Sequence, residues 1–189
     1  LTYPVNYLGD KIDALSKIAA GKHPFAKIMK SAKRPMIIVG MGALRRADAG
    51  AIQWLLRELS DKVGVVTPDW NGYNVLHTAA GRVAGLDMGF VPGKGGLDVH
   101  GMLKAAHTGE MKLVWLLGAD EIDTTKLKNS FTVYQGHHGD KGATVADVVL
   151  PGAAFTEKEG LYVNFEGRVQ MTQRATFPPG EAKEDWAII

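Results

Sequence analysis

Apolar and polar positions alternate with two different periods along this chain, and the switches between them mark its elements. The stretch "GDKIDALSKIAAG" puts Ile12, Leu15, Ile18 and Ala19 at helical spacing and stops at Gly21. "HPFAKIMKSAKRP" sets Pro24 at a first helical position, with Phe25, Ile28 and Met29 as its apolar side. "MIIV" (36–39) is a short apolar run closed by glycines, the signature of a buried strand. From about Asp48, the residues Ile52, Leu55, Leu56, Leu59 and Val63 mark a long amphipathic helix that Gly64 closes. "VVT" (65–67) reads as a second strand, and a Gly-, Asn- and Pro-rich loop follows with room for one short helix. "LDVHGMLKAAHTG" reads as a helix carrying Val99, Met102, Leu103 and Ala106 on one side. "KLVWLL" (112–117), "FTVYQ" (131–135) and "DVVL" (147–150) read as three more strands, the last ended by Pro151. In the tail, "LYVNFEGRVQMTQ" alternates with period two around Phe165-Glu166-Gly167, which predicts a β-hairpin.

Short apolar strands separated by amphipathic helices imply an α/β fold: a Rossmann-like parallel sheet with helices on both faces, plus a C-terminal β-hairpin. The expected divisions are a helical lead-in (1–34), the α/β domain (35–151) and a crossover with the hairpin (152–189). Trp54, Trp70, Trp115 and Trp186 are expected to pack. Met88, Phe90 and Val91 are expected to cover the core or face a partner. The ending "EAKEDWAII" reads as the start of a helix at Asp185, so the chain is expected to be a piece of something longer.

Composition narrows the function classes. Lys plus Arg number 22 against 20 Asp plus Glu, too balanced for a nucleic-acid surface. No apolar run approaches the roughly 18 residues of a membrane span, so direct membrane insertion is not expected. With no cysteine in the sequence, these residues hold no disulfide, zinc–thiolate site or iron–sulfur cluster.

In an open parallel sheet, ligands sit at the carboxyl ends of the strands. Three glycine-bearing loops are expected there: "GMGALRR" (40–46), "GADEIDT" (118–124) and "GHHGDKG" (136–142). Gly40 and Gly42 invite a dinucleotide reading, with Asp69 as the ribose-binding acid, although Arg45 stands where the third glycine belongs. The other reading is an ordinary glycine turn. His137 and His138 are adjacent, so both chelating one ion is awkward, and the helical i, i+4 pair is absent. A polar loop, a general acid–base and a metal ligand stay open for them, in falling order. Asp120, Glu121 and Asp123 are the residue types that cap helices. Lys22, Lys27, Lys30, Lys33 and Arg34 form a basic stretch, read as a solvated face or a docking surface.

The stretch "VYQGHHGDKGATVADVVLPGAAFTEKEGLYVNFEGRVQ" (133–170) closely resembles the large iron–sulfur subunit of respiratory complex I. The likeness extends through "HPFAKIMKSAKRPMIIVGMGAL", "VWLLGADE" and "PPGEAKEDW", and so covers nearly the whole chain. A looser form of "ADVVLP…E-x-x-G" with "N-x-EGR" marks the wider molybdopterin oxidoreductase superfamily. The resemblance implies a fragment of the cofactor-free, molybdopterin-oxidoreductase-like region, structural in role and without catalytic residues or metal of its own. Iron–sulfur clusters would lie in the N-terminal region of the parent chain. Its partners would be other subunits of the complex I peripheral arm. Its location would be peripheral, on the cytoplasmic face of a bacterial inner membrane or the matrix side in a mitochondrion. The rim of a vestigial pocket would comprise Gly40, Gly42, Gly118, Asp120, Gly136, His137, His138 and Asp140. Molybdenum-using relatives often carry a Thr-Glu-Thr-like string where this chain has "HHGD". The rivals are the pterin-nucleotide-binding part of a true molybdopterin oxidoreductase and an NAD-binding module. Glu157, Glu159, Asn164, Glu166 and Arg168 are expected to form a polar network tying the hairpin to the crossover, with Arg168 set to pair with Glu157 or Glu159.

Overall fold

The computed structural model describes every residue except Leu1, Asp10 and Ile12, so the expected helical position of Ile12 lies outside the described residues. The chain divides into two compact units. One holds the chain to Ala80 together with Phe165–Arg168, and the other holds Gly81–Asn164 and Val169–Ile189. This cut differs from the sequence-based divisions at 34 and 151.

In the first unit, α1 (Asp13–Ala19) and α2 (Pro24–Ser31) precede β1 (Ile37–Gly40). Pro24 opens α2, and its N-cap is His23, whose Nδ1 accepts the Phe25 N–H at 3.1 Å. A one-turn helix α3 (Met41–Leu44) and the long α4 (Ala49–Val63) follow. Gly64 takes the left-handed conformation (φ 70°) and closes α4 through its N–H to the Ser60 carbonyl. The apolar stripe of α4 does what its period requires. Leu59 is buried with Ile18, Ala19 and Met29, while Leu55, Val63, Phe25 and Ile37 pack around them.

Two expectations fail here. Ile28 is exposed, because α2 turns Met29 and not Ile28 to the core. The run at 65–67 does not extend a parallel sheet. Val65 is fully buried, but β2 (Val66–Thr67) pairs antiparallel with β3 (Trp70–Asn71) in a tight hairpin. The parallel partner of β1 is instead β4 (Tyr73–Leu76), inside the segment expected to be loop.

The second unit starts with α5 (Arg82–Asp87) and α6 (Val99–Thr108), the latter capped by Asp98 on the Gly101 N–H at 2.8 Å. Then come β5 (Leu113–Leu117), a 3₁₀ turn (Thr124–Leu127), β6 (Phe131–Gly136), α7 (Lys141–Val145) and β7 (Val148–Pro151). The three strands form one parallel sheet in the order β5–β6–β7, in register Leu116 to Tyr134 to Val149. Pro151 is the last residue of β7 rather than the residue after it. A side chain sets the start of the β6–β7 ladder: Asp147 accepts the Thr132 N–H at 2.7 Å, and its own N–H donates to the Thr132 carbonyl at 2.8 Å. Among the described residues, parallel strand pairing is thus divided between two separate sheets, of two and three strands.

The hairpin is β8 (Gly160–Val163) with β9 (Val169–Thr172), turned through Gly167 at φ 80°. Beyond it, residues around Lys183 run parallel to the end of β7, and a final turn of helix, α8 (Asp185–Ile188), follows. The tryptophans pack less than expected. Trp54, Trp115 and Trp186 are exposed, Trp186 donating its indole N–H to the Glu184 carboxylate at 2.6 Å, while the half-buried Trp70 donates its own to the Pro35 carbonyl at 2.9 Å. Met88, Phe90 and Val91 are exposed and do not cover the core.

Candidate functional site

The loops leaving β5 and β6 lie together in the second unit. Gly118 follows β5 at φ 57°, where only glycine is unstrained, and its N–H donates to the Gln135 carbonyl at 2.7 Å. Asp120 does not cap a helix of its own, as its residue type suggests. Its carboxylate instead reaches across and accepts the Gly142 N–H at 3.1 Å, joining the loop after β5 to the first turn of α7. Asp123 does cap, accepting the Thr125 N–H at 3.2 Å and the Thr125 hydroxyl at 2.6 Å. These hydrogen bonds hold its carboxyl below the usual carboxylate range.

Tyr134, which the sequence does not single out, fills the space between these loops. It is buried on β6 with Ala106, Leu116 and Leu127. Its ring leans along the strand over Gly136 and against Gly142. A Cβ on Gly142 would stand 2.5 Å from the ring's Cδ2 and 3.0 Å from the Asp120 Cβ, and one on Gly136 would meet the same ring. Both glycines are therefore present because an aromatic occupies the volume of their missing side chains. Burial, followed by the Asp120 and Asp140 carboxylates, raises the Tyr134 phenol above its ordinary 10.0. A glycine inside the strand beside a buried tyrosine was the available signal.

His137 and His138 stand above this packing. Both are exposed, and their rings meet edge to face with centroids 4.5 Å apart. Among the described residues, no group of three or more His, Cys, Asp or Glu side chains could hold a metal ion. Asp140 precedes α7 without a side-chain cap bond.

Gly40 and Gly42 lie in the first unit and are different. A Cβ on either meets nothing within 4 Å. The helix they open, α3, is a single turn, and Arg45 closes it and donates to the Thr78 hydroxyl at 3.2 Å. Asp69 is in the β2–β3 turn, not after a parallel strand.

Two hollows of the second unit lie elsewhere. One of about 550 Å³ runs between α6 and the 3₁₀ turn, with Val99, Leu103 and Ile122 as its apolar lining, and a smaller one of about 340 Å³ borders Leu127 and Val145. Neither is lined by Gly118, Asp120 or 136–140.

Sequence comparison places the chain. A model of the molybdopterin oxidoreductase family matches residues 1–189, and the chain belongs to that family. Among curated proteins, it is 46% identical over its full length to a subunit of the NADH-quinone oxidoreductase of Rickettsia bellii (strain RML369-C). It is equally close, 46% over its full length, to the NADH-ubiquinone oxidoreductase 75 kDa subunit of Reclinomonas americana. The chain spans 26% and 27% of these two proteins, about a quarter of their length. Among solved structures, acetylene hydratase from Pelobacter acetylenicus aligns at 22% identity over 47% of this chain and 14% of that one, with a TM-score of 0.40, too low to support an argument.

The family name raises the question of a pterin nucleotide at the strand ends, and the loops after β5 and β6 do not suit one. The phosphates of such a group need free backbone N–H donors and positive charge. Here the Gly142 N–H is taken by Asp120, and the Tyr134 ring occupies the space beside Gly136 and Gly142. The near charges on Tyr134 are the carboxylates of Asp120 and Asp140.

Proposed function

We propose that this chain is a piece of the large iron–sulfur subunit of an NADH-quinone oxidoreductase, from a region that carries the molybdopterin-oxidoreductase fold without its cofactor. Its work would be structural. It would support the cluster-bearing N-terminal part of the subunit and contact other subunits of the peripheral arm. The full assembly would pass electrons from NADH to quinone, on the cytoplasmic face of a bacterial membrane or its mitochondrial equivalent. Among the described residues no helix is long and apolar enough to cross a membrane. The β5–β6–β7 order supports a Rossmann-like winding for the second unit.

One observation carries the cofactor-free reading: Tyr134 and Asp120 together fill and cross-link the rim where a cofactor loop would open. Titration of the full-length subunit with guanosine and pterin nucleotides tests it. The expected result is no saturable binding and no rise in melting temperature at millimolar nucleotide. Saturable micromolar binding that Tyr134→Ala leaves intact would overturn it. The same thermal assay with NADH addresses the nicotinamide rival. The lone turn of α3 already weighs against a helix N-terminus able to hold a pyrophosphate.

A further inference from the structure

Charge is not spread evenly along this chain. Eight of its 22 basic residues and none of its 20 acidic ones fall between Ala14 and Ala47. Outside that window the balance reverses, and acidic residues outnumber basic ones. Part of the local excess is neutralised in the fold. Lys17 pairs with Asp13 and Arg46 with Asp48, and Arg45 donates to the Thr78 hydroxyl. Lys22, Lys27, Lys30, Lys33 and Arg34 are different. All five are exposed, and among the described residues none of them meets a carboxylate within ion-pair distance.

The first unit holds these cations on a fixed surface. Phe25, Ala26 and Met29 turn one side of α2 to the core, where they pack with Ile18, Ala19 and Leu59. The other side presents Lys27, Ile28 and Lys30 to solvent, with Ile28 59% exposed. Beyond the helix, the Arg34 guanidinium lies over the Trp70 ring, 5.5 Å from its centroid. Helix energetics do not account for the whole group. Lys30 in the last turn suits the helix dipole. Lys22 just before the His23 cap and Lys27 at the fourth helical position crowd the positive end instead, and the first turn has no acidic residue to compensate.

We propose that Lys22, Lys27, Lys30, Lys33 and Arg34, with Ile28 among them, form a docking surface for an acidic segment of a separate protein. The proposal rests on the reading of this chain as a piece of a subunit in a larger assembly, and it gives one contact of that assembly its chemistry. Four lysines and an arginine complement several carboxylates, and Ile28 receives an apolar side chain between them. An anionic lipid surface fits less well, because α2 buries its apolar side in the core and has one exposed apolar residue to insert. A long polyanion such as a nucleic acid would meet the acidic remainder of the chain.

The test uses the full-length subunit in its assembled complex. Carbodiimide treatment, which joins amines to the carboxylates they touch, should link Lys27, Lys30 or Lys33 to Asp or Glu of another polypeptide, mapped by mass spectrometry. Acetylation of these amines by a water-soluble active ester should be several-fold slower in the complex than after dissociation in urea. The pair Lys27→Glu and Lys30→Glu should lower recovery of the subunit in the complex several-fold, and the pair Lys27→Arg and Lys30→Arg should retain it. Cross-links confined to the same polypeptide would overturn the proposal. So would protection supplied by phosphatidylglycerol vesicles in place of a protein. A subunit that enters the complex with these lysines as reactive as in urea would refute this surface alone, whereas a subunit found in no complex would refute the assembly reading with it.

Discussion

The glycine loop after β1 and the glycine loops after β5 and β6 look alike as sequence and are built on opposite principles. Gly40 and Gly42 sit in open space, and nothing in their surroundings requires the missing side chain. Gly136 and Gly142 sit against the Tyr134 ring, and the packing requires both. Glycine after a strand is therefore ambiguous. It can leave room for a ligand, or it can mark where the protein has filled the room itself. The difference is steric, and the responsible residue lies two positions before one glycine and eight before the other.

The largest expected effect tests that requirement directly. Gly142→Ala should destabilise the chain by about 1–3 kcal/mol through overpacking against Tyr134, read from denaturant unfolding. In a Tyr134→Ala background the same substitution should cost much less, and that non-additivity shows that the ring is the cause. A smaller effect is expected from Asp120→Ala, about 1 kcal/mol, for the lost acceptor of the Gly142 N–H. Hydrogen exchange at Gly142 should quicken in that variant; unchanged protection would mean that another group holds the loop closed.

A pH series gives a finer reading. The Tyr134 phenol is raised in the folded chain, mainly by burial, so the native state holds its proton more tightly than the unfolded state. Its stabilisation is fully present below the ordinary 10.0 and is lost as pH rises through the folded value. Ultraviolet titration should show two late-ionising tyrosines, Tyr73 and Tyr134, both raised by burial; Tyr134→Phe should remove one of them, and Asp120→Asn should shift that one downward. The smallest effect should come from Gly42→Ala, neutral or stabilising by up to about 1 kcal/mol, since Gly42 lies within α3 with nothing near its absent Cβ. A cost matching that of Gly142→Ala would break the comparison.

Legibility follows the strength of the local pattern. The α4 helix is plain because five apolar residues keep its period and Gly64 ends it. β5, β6 and β7 are plain as apolar runs between turns. β4 is hidden because Tyr73–Leu76 lies among glycines and asparagines, and only its pairing with β1 makes it a strand. β2 reads as a parallel strand because a two-residue hairpin arm and the edge of a buried strand share the string "VVT". At the candidate site, the positions of Gly118, Asp120, Gly136 and the two histidines at strand ends are readable. The roles of Tyr134 and Asp120 are not, since a ring leaning over two glycines and a carboxylate spanning 22 residues are products of tertiary packing.

Asp147 bears on the order of assembly. Its carboxylate and N–H both engage Thr132, only 15 residues away in sequence. Closing so short a loop costs little chain entropy, so β6, α7 and β7 can associate before any distant contact forms. That order predicts a folding nucleus within the motif that carries the family resemblance. Substitution of Asp147 should slow refolding more than it speeds unfolding.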